Sequence, residues 1–128
     1  MAHILVVDDD AAIREVVVDI LEMSDYRVKT ASNGVDALKQ IKQDAPIAVL
    51  LDLMMPLMDG RELLHRCRLD PQCAHLPIAI MSAAPDAAAT ASSLGVEGYL
   101  AKPFELDAVL ALVERLATMS VGGGRIGG

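Results

Sequence analysis

The sequence predicts an α/β fold in which helices cover both faces of a parallel β-sheet. Short apolar runs alternate with amphipathic stretches along the chain, a pattern typical of strands joined by crossover helices. The 128 residues are 53% hydrophobic but only 2% aromatic, so the core must be aliphatic, as in sheets buried on both faces. This length is sufficient for one domain with its own core.

Five strand and helix pairs follow one another in order. The first strand is HILVV at 3–7, and the first helix at 11–23 carries apolar side chains at helical spacing. The remaining strands are predicted at 27–31, 47–52, 78–82 and 98–101, and the remaining helices at 34–43, 60–69, 87–94 and 105–118.

Capping residues and prolines support these boundaries. Asp10, Asn33 and Asp59 precede the first three helices and can cap them, and Pro46, Pro77, Pro85 and Pro103 lie between elements. The fourth helix falls in AAPDAAATASS, which is rich in Ala and Ser and has little bulk to anchor a helix. We therefore expect that helix to be short or mobile.

The C-terminal end has a different composition. The segment VGGGRIGG at 121–128 is glycine-rich and is typical of a flexible tail, a linker or an expression-vector remnant. The predicted domain therefore spans 3–119, followed by the tail at 120–128.

Charge, cysteine usage and hydropathy limit the function. A formal net charge of -7 without a Lys/Arg run disfavours direct binding to nucleic acid. Cys67 and Cys73 have neither metal-ligand nor redox spacing, which indicates reduced structural thiols. No segment is long and apolar enough to span a membrane, and no signal peptide is recognisable, so we expect a cytoplasmic protein.

Polar side chains stand at the carboxyl ends of four predicted strands. Ligands of an open parallel sheet bind outside these ends. If the strand order is 2-1-3-4-5, Asp8 and Asp9 converge with Asp52, and Ser82 and Lys102 flank them. Three carboxylates this close either force protonation of one of them or recruit a cation. A hard oxygen-rich site suits Mg²⁺, with Mn²⁺ as an acceptable substitute.

A lysine and a hydroxyl beside these carboxylates suit a phosphoryl group. The site therefore resembles a phosphoryl acceptor with Asp52 as the nucleophile. Each motif alone has a simpler explanation: acidic residues after a strand often cap helices, a Lys-Pro pair often marks a turn, and a serine at a strand end often bonds to backbone. Their joint occurrence at four strand ends is the specific signal.

The motifs ILVVDDD, LLDLMMPLMDG, IMSA and YLAKPF, in this order and spacing, closely resemble the receiver domain of two-component response regulators, the CheY-like family. The resemblance covers roughly residues 3–119. It implies a doubly wound, flavodoxin-like (βα)₅ fold with a parallel sheet of order 2-1-3-4-5.

The resemblance also implies roles for the metal site. Asp52 would be the phosphoacceptor and Asp9 a direct Mg²⁺ ligand, whereas Asp8 would act mostly through metal-bound water. The main-chain carbonyl of Met54 would complete the protein's share of the coordination.

Further roles follow for the residues beside the metal site. Ser82 would be the switch hydroxyl, and Lys102 would contact the phosphoryl oxygens. The Lys102–Pro103 bond would be cis. Tyr99 would change rotamer together with Ser82.

The implied function is a phosphorylation-dependent signalling switch. A histidine kinase or a phosphotransfer protein would phosphorylate Asp52, and the surface of the fourth helix, fifth strand and fifth helix would then control a downstream protein or a missing output domain. The domain would not be an enzyme toward other substrates; it would catalyse only its own phosphoryl transfer and slow autodephosphorylation. A stand-alone regulator, a relay intermediate and a receiver cut from a larger protein all remain open.

Two other function classes fit less well. An aspartyl phosphohydrolase would need an acid/base Asp two residues after Asp52, where Met54 stands, and a cap domain. A receiver-like module without phosphorylation would show a broken acidic pair or no Lys102. Met54 and Ala84 occupy the positions that can orient a hydrolytic water in receivers, and neither is polar, so we expect a long-lived phosphorylated form.

Overall fold

Five strands and five helices alternate in a computed structural model that describes residues 2–83 and 85–127, with side chains to 119. The strands are β1 (Ile4–Val7), β2 (Val28–Ala31), β3 (Ala48–Asp52), β4 (Ile78–Ser82) and β5 (Gly98–Ala101). The helices are α1 (Ala11–Met23), α2 (Gly34–Gln43), α3 (Gly60–Leu69), α4 (Ala87–Leu94) and α5 (Leu106–Gly127). Apart from the end of α5, every predicted boundary lies within one residue of the observed one.

The sheet is parallel and has the order β2-β1-β3-β4-β5, which confirms the predicted fold class. Strands β1 and β3 are direct neighbours, with Val7 opposite Leu51. Their carboxyl ends therefore lie side by side. The residues that follow Val7 and Leu51 in sequence must meet at this edge.

The two faces of the sheet carry two separate aliphatic cores. In β1, Ile4 and Val6 pack into a cluster with α1 and α5, whereas Leu5 and Val7 pack into a cluster with α2 and α3. Successive strand residues point to opposite faces, so a strand buried on both sides must be apolar throughout. This requirement explains the continuous apolar runs in the sequence.

Helix starts follow the predicted caps. The Asp10 side chain accepts hydrogen bonds from the backbone N–H groups of Ala12 and Ile13. Asn33 and Asp59 accept the corresponding bonds at the starts of α2 and α3. Helix α4 has only eight residues and no side-chain cap bond, in agreement with the expectation of a short helix.

The end of α5 differs from the prediction. We predicted that the helix ends at residue 118, but it continues to Gly127 through the glycine-rich segment. Glycine lowers helix propensity by about 1 kcal/mol relative to alanine, yet it does not prohibit helical backbone angles, and the segment contains no proline. The domain boundary at 119 stays a prediction.

Within residues 2–83 and 85–127, no helix is both long enough and apolar enough to cross a bilayer.

Candidate functional site

The carboxyl ends of β1 and β3 bring three carboxylates together. One carboxylate oxygen from each of Asp8, Asp9 and Asp52 lies within 4.8 Å of the others. Asp8 and Asp9 directly follow β1, and Asp52 is the last residue of β3, so the cluster is a direct result of the strand order. Oxygen ligands in this arrangement could hold a metal ion.

Asp52 is almost completely buried, with 6% of its surface exposed. Its Oδ1 accepts a hydrogen bond of 3.2 Å from the backbone N–H of Met54. The pKa of Asp52 is raised from 3.8 to about 6, because burial and, to a smaller extent, the Asp8 charge outweigh the lowering effects of the Met54 hydrogen bond and of Lys102. The carboxylate is therefore held in an environment that disfavours its own charge.

Asp8 is fully buried and makes contacts in three directions. Its Oδ1 accepts a bond from the Asp10 N–H at 2.9 Å, and its Oδ2 lies 2.9 Å from Lys102 Nζ. Its main-chain carbonyl accepts a bond of 2.7 Å from the Arg14 guanidinium. Both the side chain and the backbone of Asp8 are thus fixed.

Lys102 supplies the positive charge of the site. Its ammonium lies 2.9 Å from Asp8 Oδ2 and 3.8 Å from Asp52 Oδ1. The Lys102 N–H donates to the Ser82 carbonyl at 2.7 Å, and the Lys102–Pro103 peptide bond is cis. One ammonium facing three carboxylates leaves an excess of negative charge, which favours a bound cation.

Met54 and Asp9 form the open side of the site. The Met54 side chain is 80% exposed, and the Asp9 carboxylate is also exposed. The Met54 N–H faces Asp52. Ligation by the Met54 carbonyl, which the family resemblance implied, stays a prediction. Ala84, the second position assigned to water orientation, lies outside the described residues.

Ser82 and Tyr99 lie on the β4–β5 side. Ser82 ends β4 opposite Ala101, and Tyr99 lies two residues earlier in β5, opposite Ile80. Tyr99 is 45% exposed. It lines a groove of about 640 Å³ on the β5–α5 surface, together with Phe104 and Leu112.

Two glycines hold the loop that follows Asp52. The Gly60 N–H donates to the Leu53 carbonyl, and a Cβ at Gly60 would lie 2.5 Å from the Asp52 carbonyl oxygen. The Gly34 N–H donates to the Met58 carbonyl, and a Cβ there would lie 2.4 Å from that oxygen. At Gly34 in α2 and Gly60 in α3, the helix backbone approaches the loop so closely that no side chain beyond the glycine hydrogen fits.

Sequence reasoning missed Arg14 and Gly34. Arg14 follows Asp8 by six positions and reaches back from the first turn of α1, which its spacing could have suggested. The contact between Gly34 and Met58 joins α2 to a loop that is distant in sequence, and no local sequence pattern indicates it.

Comparisons with known proteins agree with this geometry. Residues 4–114 match the family model described as response regulator receiver domain. The response regulator MprA of Mycobacterium leprae is 38% identical over 116 residues, which are 89% of this chain and 50% of the relative. This chain thus spans about half the length of the curated relatives it matches.

Solved structures show the same architecture. The receiver domain of NtrX from Brucella abortus has a TM-score of 0.82 at 32% identity, over 90% of this chain and 98% of that one. The chemotaxis response regulator CheY4 of Vibrio cholerae has a TM-score of 0.81 at 30% identity, over 91% and 98%. Since the family model also covers most of the sequence, this chain belongs to the family of response regulator receiver domains.

Proposed function

We propose that this domain is a signalling switch that accepts a phosphoryl group on Asp52 from a histidine kinase or a phosphotransfer protein. The convergence of Asp8, Asp9 and Asp52 beside Lys102 is the observation that carries this proposal. A carboxylate nucleophile, a cation site and a fixed ammonium are the parts that phosphoryl transfer requires.

The residues divide the chemistry between them. Asp9 and Asp52 would hold Mg²⁺ directly, Asp8 would act through water, and the Met54 carbonyl would add a further ligand. When bound, Mg²⁺ neutralises negative charge on the transferred group. With a pKa of about 6, Asp52 is mostly ionised at neutral pH and can attack phosphorus.

Lys102 has a second task once Asp52 is phosphorylated. Its ammonium already lies within 3.8 Å of Asp52 Oδ1, so a short movement brings it to a phosphoryl oxygen. That movement would weaken the contact of 2.9 Å with Asp8. Phosphorylation would therefore redistribute the ionic contacts of the site rather than add one to an unchanged set.

The output surface of the proposal comprises α4, β5 and α5. Ser82 would move toward the phosphoryl group, and Tyr99 would take a more buried rotamer. A downstream protein or an output domain would recognise the changed surface.

We also propose that the domain turns over no other substrate. Its cytoplasmic location stays a prediction.

Labelling with a small acyl phosphate tests the proposal. With Mg²⁺ present, intact-mass analysis should show one added phosphoryl group on the parent protein and none on Asp52→Asn. Chelation of the metal should stop labelling, because three carboxylates then repel the donor. Asp59→Asn is a matched control, since Asp59 is an exposed cap in the same loop and Asn caps equally well.

Two results would contradict the proposal. One is equal labelling of Asp52→Asn and the parent. The other is steady hydrolysis of a phosphomonoester by the purified protein, which would indicate a phosphohydrolase.

A further inference from the structure

The structure brings together two cysteines whose sequence spacing carries no signal. Cys67 lies in the last turn of α3, and Cys73 lies in the turn that leads to β4. The Cys67 Sγ donates to the Cys73 carbonyl at 3.0 Å, and the Cys73 Sγ donates to the Cys67 carbonyl at 3.2 Å. Each sulfur therefore lies against the backbone of the other residue.

Both thiols lie in the same buried environment. Burial, and after it the hydrogen bond with the Cys73 thiol, raise the pKa of Cys67 above its ordinary value. Both residues are free cysteines, and their exposed fractions are 0% and 1%. The pair is thus a buried dithiol.

The backbone around this dithiol is held in place. The Asp70 N–H donates to the Cys67 carbonyl, and the Cys73 N–H donates to the Asp70 carbonyl. The Arg68 guanidinium donates to the carbonyls of Ala74 and Leu76 at 3.1 and 2.9 Å. These bonds fold the segment back on itself, which keeps each sulfur within hydrogen-bond distance of the other cysteine's carbonyl.

We infer that Cys67 and Cys73 form a modification site, which closes to an intramolecular disulfide in the folded protein under a disulfide oxidant such as glutathione disulfide. The site lies where α3 ends and β4 begins, at the end of the sheet opposite to Asp52. The inference therefore does not depend on the proposed phosphorylation.

The reaction consists of two thiol–disulfide exchanges. One cysteine thiolate attacks glutathione disulfide, which forms a mixed disulfide and releases one glutathione thiolate that takes up a proton. The second cysteine then loses its proton and attacks the protein sulfur of the mixed disulfide. The Cys67–Cys73 bond forms, and a second glutathione leaves. The protein loses two protons and two electrons, and glutathione disulfide gains both.

Burial controls the rate of the first exchange. A raised pKa lowers the thiolate fraction of Cys67, and neither sulfur is accessible in the closed structure. The exposed residues Pro71 and Gln72 lie between the two cysteines, so local opening of this turn is the route of entry. We expect slow formation and, once the bond is formed, slow reduction.

An equilibrium measurement on the unmodified chain tests the inference. Reduced protein is incubated in mixtures of glutathione and glutathione disulfide, with and without urea, and is acid-quenched for mass analysis. Five residues separate the cysteines, so the unfolded chain also closes the loop. Because the fold keeps each thiol against the backbone of the other cysteine, the ratio of disulfide to dithiol should be about tenfold or more higher in the folded protein.

The test also requires that the oxidised product be identified as the intramolecular Cys67–Cys73 disulfide. Peptide mapping should show Cys67 joined to Cys73, with the loss of two hydrogen atoms. An equal or lower ratio in the folded protein would overturn the inference. So would accumulation of only mixed disulfides or of disulfide-linked dimers in the folded protein.

Two serine variants provide matched controls. Cys67→Ser and Cys73→Ser keep a hydroxyl donor for the carbonyl that each thiol contacts. Each variant should gain at most one glutathione and should never lose two hydrogen atoms. The same mass loss in either variant would show that the parent's product is not this disulfide.

Discussion

The buried Asp52 carboxylate should destabilise the metal-free fold, and Asp52→Asn should relieve that cost. The pKa of Asp52 is about 6, against 3.8 for an ordinary Asp carboxyl. Each pKa unit corresponds to about 1.4 kcal/mol, so the difference costs about 3 kcal/mol at pH 7.5. Asn keeps an oxygen for the Met54 N–H and carries no charge.

The stability difference between Asp52→Asn and the parent should depend on pH in a defined direction. Because the pKa is raised on folding, the folded state binds the proton more tightly than the unfolded state does. The cost is absent below about pH 3.8, grows up to about pH 6 and is constant above it. The stability advantage of Asp52→Asn should therefore fall from about 3 kcal/mol at pH 7.5 to about 1 kcal/mol at pH 4.5.

Urea unfolding in EDTA, followed by circular dichroism, measures this difference. Added Mg²⁺ should reduce the difference in the free energy of unfolding between Asp52→Asn and the parent, since a cation stabilises only the parent's carboxylate cluster. Asp59→Asn, at an exposed cap, should match the parent at both pH values. The reasoning is refuted if Asp52→Asn is no more stable than the parent at pH 7.5, or if its advantage is the same at pH 4.5.

Three further predictions concern lifetime, coupling and packing. Met54→Asn and Ala84→Glu, separately and together, should speed loss of phosphate in excess Mg²⁺, because each adds a group that can orient water; unchanged or slower loss would contradict this. On phosphorylation, NMR chemical shifts should change within residues 83–104, and no change there would exclude coupling to the output surface. Gly60→Ala should lower the free energy of unfolding by about 2 kcal/mol or more, since its Cβ would lie 2.5 Å from the Asp52 carbonyl oxygen; a thermal melt that matches the parent would show that the loop yields.

Most of the architecture could be predicted from the sequence, because local patterns determine it. Buried strands must be apolar throughout, and caps such as Asp10 and Asn33 mark helix starts. The acidic cluster could be predicted because the strand order brings Asp8 and Asp52 to one edge. The order itself required the family resemblance.

What remained hidden depends on close packing between distant parts of the chain. The sequence shows Gly34 as a helix-start residue, but only the structure shows Met58 against it. The contact between Cys67 and Cys73 depends on how the chain turns at Asp70. The extension of α5 was missed because propensity counts glycine against a helix without excluding it.

One side of the site around Asp52 is the loop between β3 and α3, and the other side leads toward α4. Backbone hydrogen bonds fasten that loop to α2 through Gly34 and to the start of α3 through Gly60, so we expect it to resist displacement. Helix α4 has only eight residues and no side-chain cap bond, so we expect it to be displaced more easily. A bulky group added at Asp52, between these two sides, should displace the side that resists less. If Asp52 is phosphorylated as we propose, we therefore expect the resulting strain to be relieved toward α4 and β5, in a direction that the scaffold sets before any partner binds.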